Sequence, residues 1–307
     1  LLDAGHTPRA MIQPGTDASC YAGANLELVE ADLTDPGSLA GAADGVDGVV
    51  HLAALVQEWG KRQWFEEVNV GGTQRLLAAA AEAGVGRRFV FMSSLAVHGL
   101  GDFVDGDESA PRNDVGNPYS WSKIRCEELV AEAHAKGRVS SVIIRPGLIP
   151  YGEWDVRGFG ALAATISAGR MPVAGDPDAL TCTVYAPNLA RGVRLVLEHR
   201  CENLRTYVIA DGVKISWRDY FQALADSLGV SLRLLPVPGL LARTAGSLAE
   251  SAWKGLKLPG RPPVTRYLAT LMSRNTHFSS ALAADQLHYS PPYSFAEGME
   301  RTARWWL

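Results

Sequence analysis

Cysteine is scarce, long apolar runs are missing, and neither sign of charge dominates. The 307 residues hold four cysteines, Cys20, Cys126, Cys182 and Cys201, far apart and in no C-x-x-C or Cys/His cluster. That excludes a disulfide-stapled scaffold and supplies no metal-ligand spacing, so no metal is expected and a reduced, cytoplasmic setting is the reading. No run of about 18 apolar residues exists, so no membrane span is expected. The N-terminus also lacks the basic, apolar and small-residue order of a signal peptide. With 29 Lys and Arg against 33 Asp and Glu, the formal net charge is −4. Such a balance gathers no polyanion, and nucleic acid is not expected as a partner. Repeats and low-complexity segments are absent, and so is an initiator Met: Leu1, Leu2 and Asp3 read as a sequence beginning inside a natural chain.

What is present is a large apolar fraction, 47% of residues against 20% charged. That is enough for one large α/β domain, or a domain with a smaller lobe. Short β-type runs at Arg9 to Ile12, Leu26 to Ala31, Gly48 to Ala53, Phe89 to Ser93 and Ser140 to Arg145 alternate with helical patterns at Gly37 to Ala43, Phe65 to Ala83 and Tyr119 to Ala135. Strand, helix, strand at this spacing predicts a Rossmann-type, doubly wound parallel sheet over residues 1–150, with ligand beyond the carboxyl ends of its strands. From residue 151 to 307 Gly and Pro become frequent and the elements shorten, which predicts a smaller mixed α/β lobe, with some chain crossing back to the main sheet. Helices are expected at Gly158 to Ala168, Pro187 to Glu198, Trp217 to Leu228, Gly239 to Trp253, Val264 to Ser273 and Phe295 to Trp306, and short strands at Thr181 to Tyr185 and Thr206 to Ile209.

The strongest local signal is Tyr119-Ser120-Trp121-Ser122-Lys123 at a helix start, with Ser93 and Ser94 closing the preceding strand. Positions i and i+4 share a helix face, so the phenol and the ammonium can enter one cleft. An ammonium beside a phenol stabilises the phenolate, and a nearby hydroxyl can hold a substrate oxygen against it. Alone, Y-x-x-x-K is commonplace on helix surfaces. Here it stands in a series: Ala31-Asp32-Leu33-Thr34-Asp35, His51-Leu52-Ala53-Ala54, Asn69-Val70-Gly71-Gly72-Thr73, Met92 to Gly99, Tyr119 to Lys123, and Arg145-Pro146-Gly147.

This order resembles the extended short-chain dehydrogenase/reductase family, the NAD-dependent epimerase/dehydratase superfamily, across essentially the whole chain. The resemblance implies an NAD(P)-dependent dehydrogenase or reductase with Tyr119 as acid/base, Lys123 tuning it and bonding the nicotinamide ribose, and Ser94 as the catalytic hydroxyl. It implies that Asp32 and Leu33 contact the adenine, that Leu52, Ala53 and Ala54 let the cofactor approach, that Asn69 steadies the site, and that Pro146 and Gly147 border the nicotinamide. The family's first strand and glycine-rich turn, G-x-x-G-x-x-G, occur nowhere here, so the resemblance is to an N-terminally truncated member. Gln13 stands where the adenosine ribose is read; a neutral residue there leans toward NAD, with NADP as the alternative.

The strings Arg145 to Gly152 and Val184 to Ala190 resemble the 3-beta-hydroxysteroid dehydrogenase-like branch, and no Arg stands between Ala179 and Tyr185 to grip a sugar diphosphate. The expected reaction interconverts a secondary alcohol and a ketone on an apolar, steroid-like substrate. Its expected pocket is lined by Trp59, Trp64, Val97, His98, Tyr151, Trp154 and Phe159. The alternatives are a nucleoside-diphosphate-sugar epimerase or dehydratase, and a non-catalytic nucleotide-binding protein. The helix from Gly239 to Trp253 is expected to pack its apolar face on the main lobe. Relatives imply a homodimer through the helices at 65–83 and 119–135.

Overall fold

Along Arg88–Met92 the side chains alternate between two apolar environments, and that alternation places helices on both faces of the sheet. Phe89 and Phe91 pack with Ile143, Leu76, Leu77, Cys126 and Val130 on one side. Val90 and Met92 pack with Val142, Ile144, Val193 and Val196 on the other. A period of two within a strand sandwiched by helices is what a buried parallel sheet requires.

The computed structural model describes residues 1–86, 88–199 and 204–307; Cys201 lies outside the described residues. Six parallel strands form the wound core: β1 (Arg9–Ile12), β2 (Glu27–Glu30), β3 (Gly48–His51), β4 (Arg88–Met92), β5 (Ser141–Pro146) and β6 (Arg205–Ile209). β1 pairs with β2, and β3, β4, β5 and β6 lie side by side in that order. No described strand joins the two blocks, so the single expected sheet is seen as two parallel pieces. The helices that cover them are α1 (Pro36–Ala43), α2 (Gly72–Glu82), α3 (Pro118–Ala135) and α4 (Ala186–Glu198). β6, late in the chain, adds to the edge of β5 with Ile209 opposite Pro146.

The expected helix from Phe65 to Ala83 is three pieces: a turn at Arg62–Phe65, a π-helical segment Glu66–Gly71, and α2. The wider turn seats Asn69 against Leu55, as described below; such π segments recur at functional sites. The expected strand Thr181 to Tyr185 splits at Cys182, with Leu180–Thr181 antiparallel to Ile215–Ser216 and Thr183–Tyr185 parallel to Ile149–Tyr151. Parallel pairs Phe103–Gly106 with Thr276–Phe278 and Arg170–Ala174 with Arg233–Val237 were not expected from sequence, nor was the helix Ala281–Leu287. Their apolar runs are too short to declare a period. The C-terminal segment carries its own core around Tyr151, Phe159, Ile166, Tyr220 and Leu224. It also supplies α5 (Gly239–Gly255) and α6 (Arg266–Leu271), which meet at Gly246, where an added Cβ would lie 2.6 Å from the Arg266 nitrogen. The expected packing of an apolar α5 face is corrected: the small residues Ala242 and Gly246 are its buried ones, while Leu240, Leu241 and Leu248 are exposed. The close approach at Gly246 needs small side chains and turns the leucines outward.

Gly147 links β5 to the C-terminal segment. Its N–H donates to the Ile209 carbonyl at 2.8 Å, and a Cβ there would lie 2.6 Å from the Thr183 carbonyl oxygen. Backbone cannot swing aside as a side chain can. Gly147→Ala is therefore expected to cost about 1–3 kcal/mol, read as a lower urea midpoint at unchanged m-value.

Candidate active site

Asn117 and Pro118 start α3 and so place Tyr119. The Asn117 side chain accepts hydrogen bonds from the Tyr119 and Ser120 N–H groups, both at 3.0 Å, and Pro118 occupies the first turn, where its missing N–H costs nothing. Tyr119 thus stands one turn before Lys123 on the inward face. Ser94 follows β4 in extended backbone and caps a short turn by accepting from the Ala96 N–H at 3.1 Å. Its side chain lies close enough to the Tyr119 phenol to influence its ionisation. Ser120 secures the same turn from below, donating to the Ala96 carbonyl at 2.6 Å.

The Lys123 ammonium, 3% exposed, donates to the Met92 carbonyl at 2.7 Å and lies 5.9 Å from the Tyr119 ring centre. No other hydrogen bond of this ammonium is present among the described residues, which leaves two of its three N–H donors for oxygens of a ligand. Burial lowers the Lys123 pKa to about 8. Burial also pushes the Tyr119 phenol up to about 12, against the lowering influence of Ser94. An ammonium one turn away would by itself draw the phenol downward. In this structure desolvation prevails, and the ammonium spends its one bond on Met92.

Behind these groups lies a polar network that sequence reasoning saw only in part. Asn69 accepts from the Leu55 N–H at 2.7 Å and donates to the Leu55 carbonyl at 3.1 Å and to Ser122 Oγ at 2.9 Å. Ser122 in turn donates to the Tyr119 carbonyl at 2.8 Å. Asn69 therefore ties the segment after β3 to the first turn of α3. One turn past Lys123, Glu127 is 2% exposed and paired bidentately with Arg145, at 2.8 Å to Nε and 2.7 Å to Nη2, while Ser93 donates to it at 2.6 Å. Glu127 was not singled out from sequence. Its signal was there as Tyr119, Lys123 and Glu127 repeating every four residues on one face, matched by the Arg at the end of β5.

The cofactor-side residues lie at the carboxyl ends of parallel strands, where such folds bind ligands. Asp32 follows β2 and accepts from Gln13 Nε2 at 3.0 Å and from the Thr34 N–H at 2.7 Å; these bonds hold its pKa below the usual range, Thr34 first among them. Leu33 is buried against Gly72, where a Cβ would lie 2.8 Å away. Leu52 and Ala53 follow β3, Leu52 with 60% of its surface exposed, an apolar ledge suited to an aromatic ring. Pro146 is half-buried and Gly147 buried at the end of β5. The donors and the ledge fit an adenosine at β1 to β3 and a ribose at Lys123.

A cavity of about 1570 Å³ opens beside α3, walled by Trp59, Trp64, Trp121, Trp253 and Tyr267. Tyr267, on α6, lies within electrostatic reach of Tyr119 and Glu58. Of the expected pocket aromatics only Trp59 and Trp64 face this cavity, and the others are corrected as follows. Val97 is fully buried. His98, 1% exposed, stacks on Phe278 with ring centres 4.7 Å apart and meets Arg145 Nη1 at 3.2 Å. Tyr151 and Phe159 belong to the C-terminal core. Trp154 is 69% exposed, holds left-handed backbone at φ 74°, and packs against Trp305. Sequence could not see that α5 and α6 would form the opposite wall. Among the described residues no metal-binding cluster is found, and no helix is long and apolar enough to cross a membrane.

A family model described as NAD dependent epimerase/dehydratase family matches residues 1–210. The chain belongs to that family. It is an NAD(P)-dependent oxidoreductase of the extended short-chain type. Among curated members, a 2-alkyl-3-oxoalkanoate reductase of Stenotrophomonas maltophilia is 29% identical, over 89% of this chain and 84% of the relative. A 3-beta-hydroxysteroid dehydrogenase of Mycolicibacterium neoaurum is 28% identical, over 97% and 84%. Among solved structures, that of gox2253 superposes with a TM-score of 0.81 at 26% identity, covering 99% of this chain and 91% of the other. The dTDP-glucose 4,6-dehydratase of Streptomyces venezuelae, solved with NAD, gives 0.71 at 28% identity, covering 94% and 82%.

Two predictions follow from the buried charges of this family member. Glu127→Ala leaves Arg145 charged and unpaired in the core and is expected to cost about 3–5 kcal/mol; adding Arg145→Met should recover part of the loss in a double-mutant cycle read by denaturant unfolding. Burial, with the Lys123 charge adding to it, lowers the His51 pKa to about 3, and burial, with Arg145 adding to it, lowers that of His98 to about 4. The unfolded chain protonates both rings near pH ~6.5 while the folded chain does not, so stability falls as pH drops below that value, by up to about 1.4 kcal/mol per pH unit for each ring. Unfolding midpoints between pH 7.5 and 5 should show this slope, and His98→Gln should make it shallower.

Proposed function

We propose that the protein interconverts a secondary alcohol and a ketone on a bulky, largely apolar substrate, with Tyr119 as the acid/base. The observation that carries the reading is the convergence of Ser94, Tyr119 and Lys123, from two separate elements, beside a large aromatic-walled cavity. When bound, NAD(P)H supplies a hydride to the carbonyl carbon. Tyr119 donates its phenolic proton to the carbonyl oxygen, so the products are the alcohol and NAD(P)+; oxidation reverses both transfers. A phenol pushed up to about 12 is protonated at neutral pH, the form that ketone reduction needs. Ser94 orients the reacting oxygen against the phenol, and Lys123 offers its two spare N–H donors to the cofactor's ribose hydroxyls. Asp32, Leu33, Leu52, Ala53 and Ala54 hold the adenosine end, with Gln13 reading its ribose; Pro146 and Gly147 border the nicotinamide, while Asn69 holds the surrounding backbone. The substrates in the names of the two curated relatives, an oxoalkanoate and a hydroxysteroid, both carry an oxygen on a carbon framework. A homodimer through the outer faces of α2 and α3 and a cytoplasmic setting belong to the same reading.

Tyr119→Phe removes the transferable proton and leaves the ring. Turnover, followed by nicotinamide absorbance, should fall by about 10²–10⁴-fold with little change in KM. Full turnover in this variant would show that another group handles the proton.

A further inference from the structure

No Arg stands between Ala179 and Tyr185, yet cations reach the cleft from elsewhere in the chain. The cavity at the first turn of α3, next to Pro118 and Trp121, is lined by seven basic side chains, Lys61, Arg62, Arg243, Lys254, Lys257, Arg261 and Arg266, against two acidic ones, Glu58 and Glu250, in a chain whose formal net charge is −4. Four of the seven stand on α5 and the connection that follows it. Several already have work. Arg62 lies 3.8 Å from the ring centre of Trp121, Lys61 5.6 Å from that of Trp64, and Lys254 5.2 Å from that of Trp59. The Glu250 carboxylate accepts the Arg266 backbone N–H at 2.8 Å. Glu58 interacts with Arg261 and with the Thr265 side chain. The side chains of Arg243 and Lys257 have no carboxylate partner among the described residues. Trp253, another wall residue, has a buried indole N–H without an acceptor.

We propose that this wall is an anion subsite: the substrate carries a carboxylate on an otherwise apolar body, bound by Lys257 just past the C-terminal end of α5, where Lys254 and Arg261 add positive charge, while its carbonyl or hydroxyl meets Tyr119. This deepens the alcohol and ketone reading above and rests on it. Uncompensated cations around a partly enclosed cleft raise the local concentration of anions and repel cationic ligands. Desolvating a carboxylate inside such a cleft is tolerated only where charged donors replace its water. The tryptophans and Tyr267 supply the apolar contact that the body of the substrate needs.

The test uses one ring system in two charge states, 3-oxocholan-24-oate and its methyl ester, titrated against the tryptophan fluorescence of the chain. The acid is expected to bind about tenfold more tightly than the ester at low salt, the value of one charge-assisted contact. The ratio should shrink toward one in 1 M NaCl, where the screening length is about 3 Å. It should also approach one in Lys257→Gln, with circular dichroism confirming that the variant is folded. Equal binding of acid and ester, or a preference that survives in the folded Lys257→Gln variant, overturns the anion subsite. Tighter binding of UDP-glucose than of the acid also overturns it, in favour of a diphosphate. Turnover of the same pair with NADH, and its loss in Tyr119→Phe, judges the reaction separately, so failure of the subsite and failure of the reaction are told apart.

Discussion

Glu127 and Arg145 are buried together at the junction of α3, β4 and β5, and the geometry of the site depends on them. The pair is bidentate, with both carboxylate oxygens used, and Ser93 adds a third donor. A charge pair so deep gives little net stability, because the energy of attraction is offset by desolvation, but it tolerates only one arrangement. That arrangement sets how α3 is rotated against the sheet. Because Tyr119, Lys123 and Glu127 share one helix face, holding Glu127 aims the phenol and the ammonium at the strand ends. Arg145 immediately precedes Pro146 and Gly147, so the same contact also fixes the far side of the cleft.

Burial then sets the proton chemistry. In water a phenol and an ammonium titrate close together; within this cleft desolvation moves them apart, the phenol to about 12 and the ammonium to about 8. Desolvation shifts each group toward its neutral form without discharging the ammonium at pH 7, and a ligand that satisfies the spare donors of Lys123 would raise its pKa again. Ionisation and ligand binding are thereby linked through one side chain.

The wound half was legible in the sequence because its central strands are short apolar runs alternating with longer helical patterns. β3, β4 and β5 begin and end within a residue or two of the runs that predict them. Tyr119 and Lys123 were legible because four residues of a helix define a face. Three features were not. The π segment at Glu66–Gly71 has the same apolar pattern as an α-helix, and only the partner Leu55, distant in sequence, distinguishes the two. The strand Thr181 to Tyr185 divides at Cys182 because its halves pair with different partners, which no local pattern records. The pocket walls misled most. Val97, His98, Tyr151 and Phe159 are near the motifs in sequence but turn into cores, while Trp253, Tyr267 and the basic side chains of α5 and its following connection reach the cleft only through tertiary packing.

If the ion pair aims the catalytic helix, weakening it without unfolding the protein must slow the chemical step. Glu127→Gln keeps the shape of the side chain and removes its charge. The decisive measurement is kcat for this variant with a turned-over ketone, at a temperature where circular dichroism shows it fully folded, with KM for NADH determined alongside. The account predicts a kcat lower by at least about tenfold, the effect of roughly 1.4 kcal/mol on the barrier, with KM for NADH little changed. A folded Glu127→Gln protein with wild-type kcat would contradict it and leave the pair as an element of stability alone.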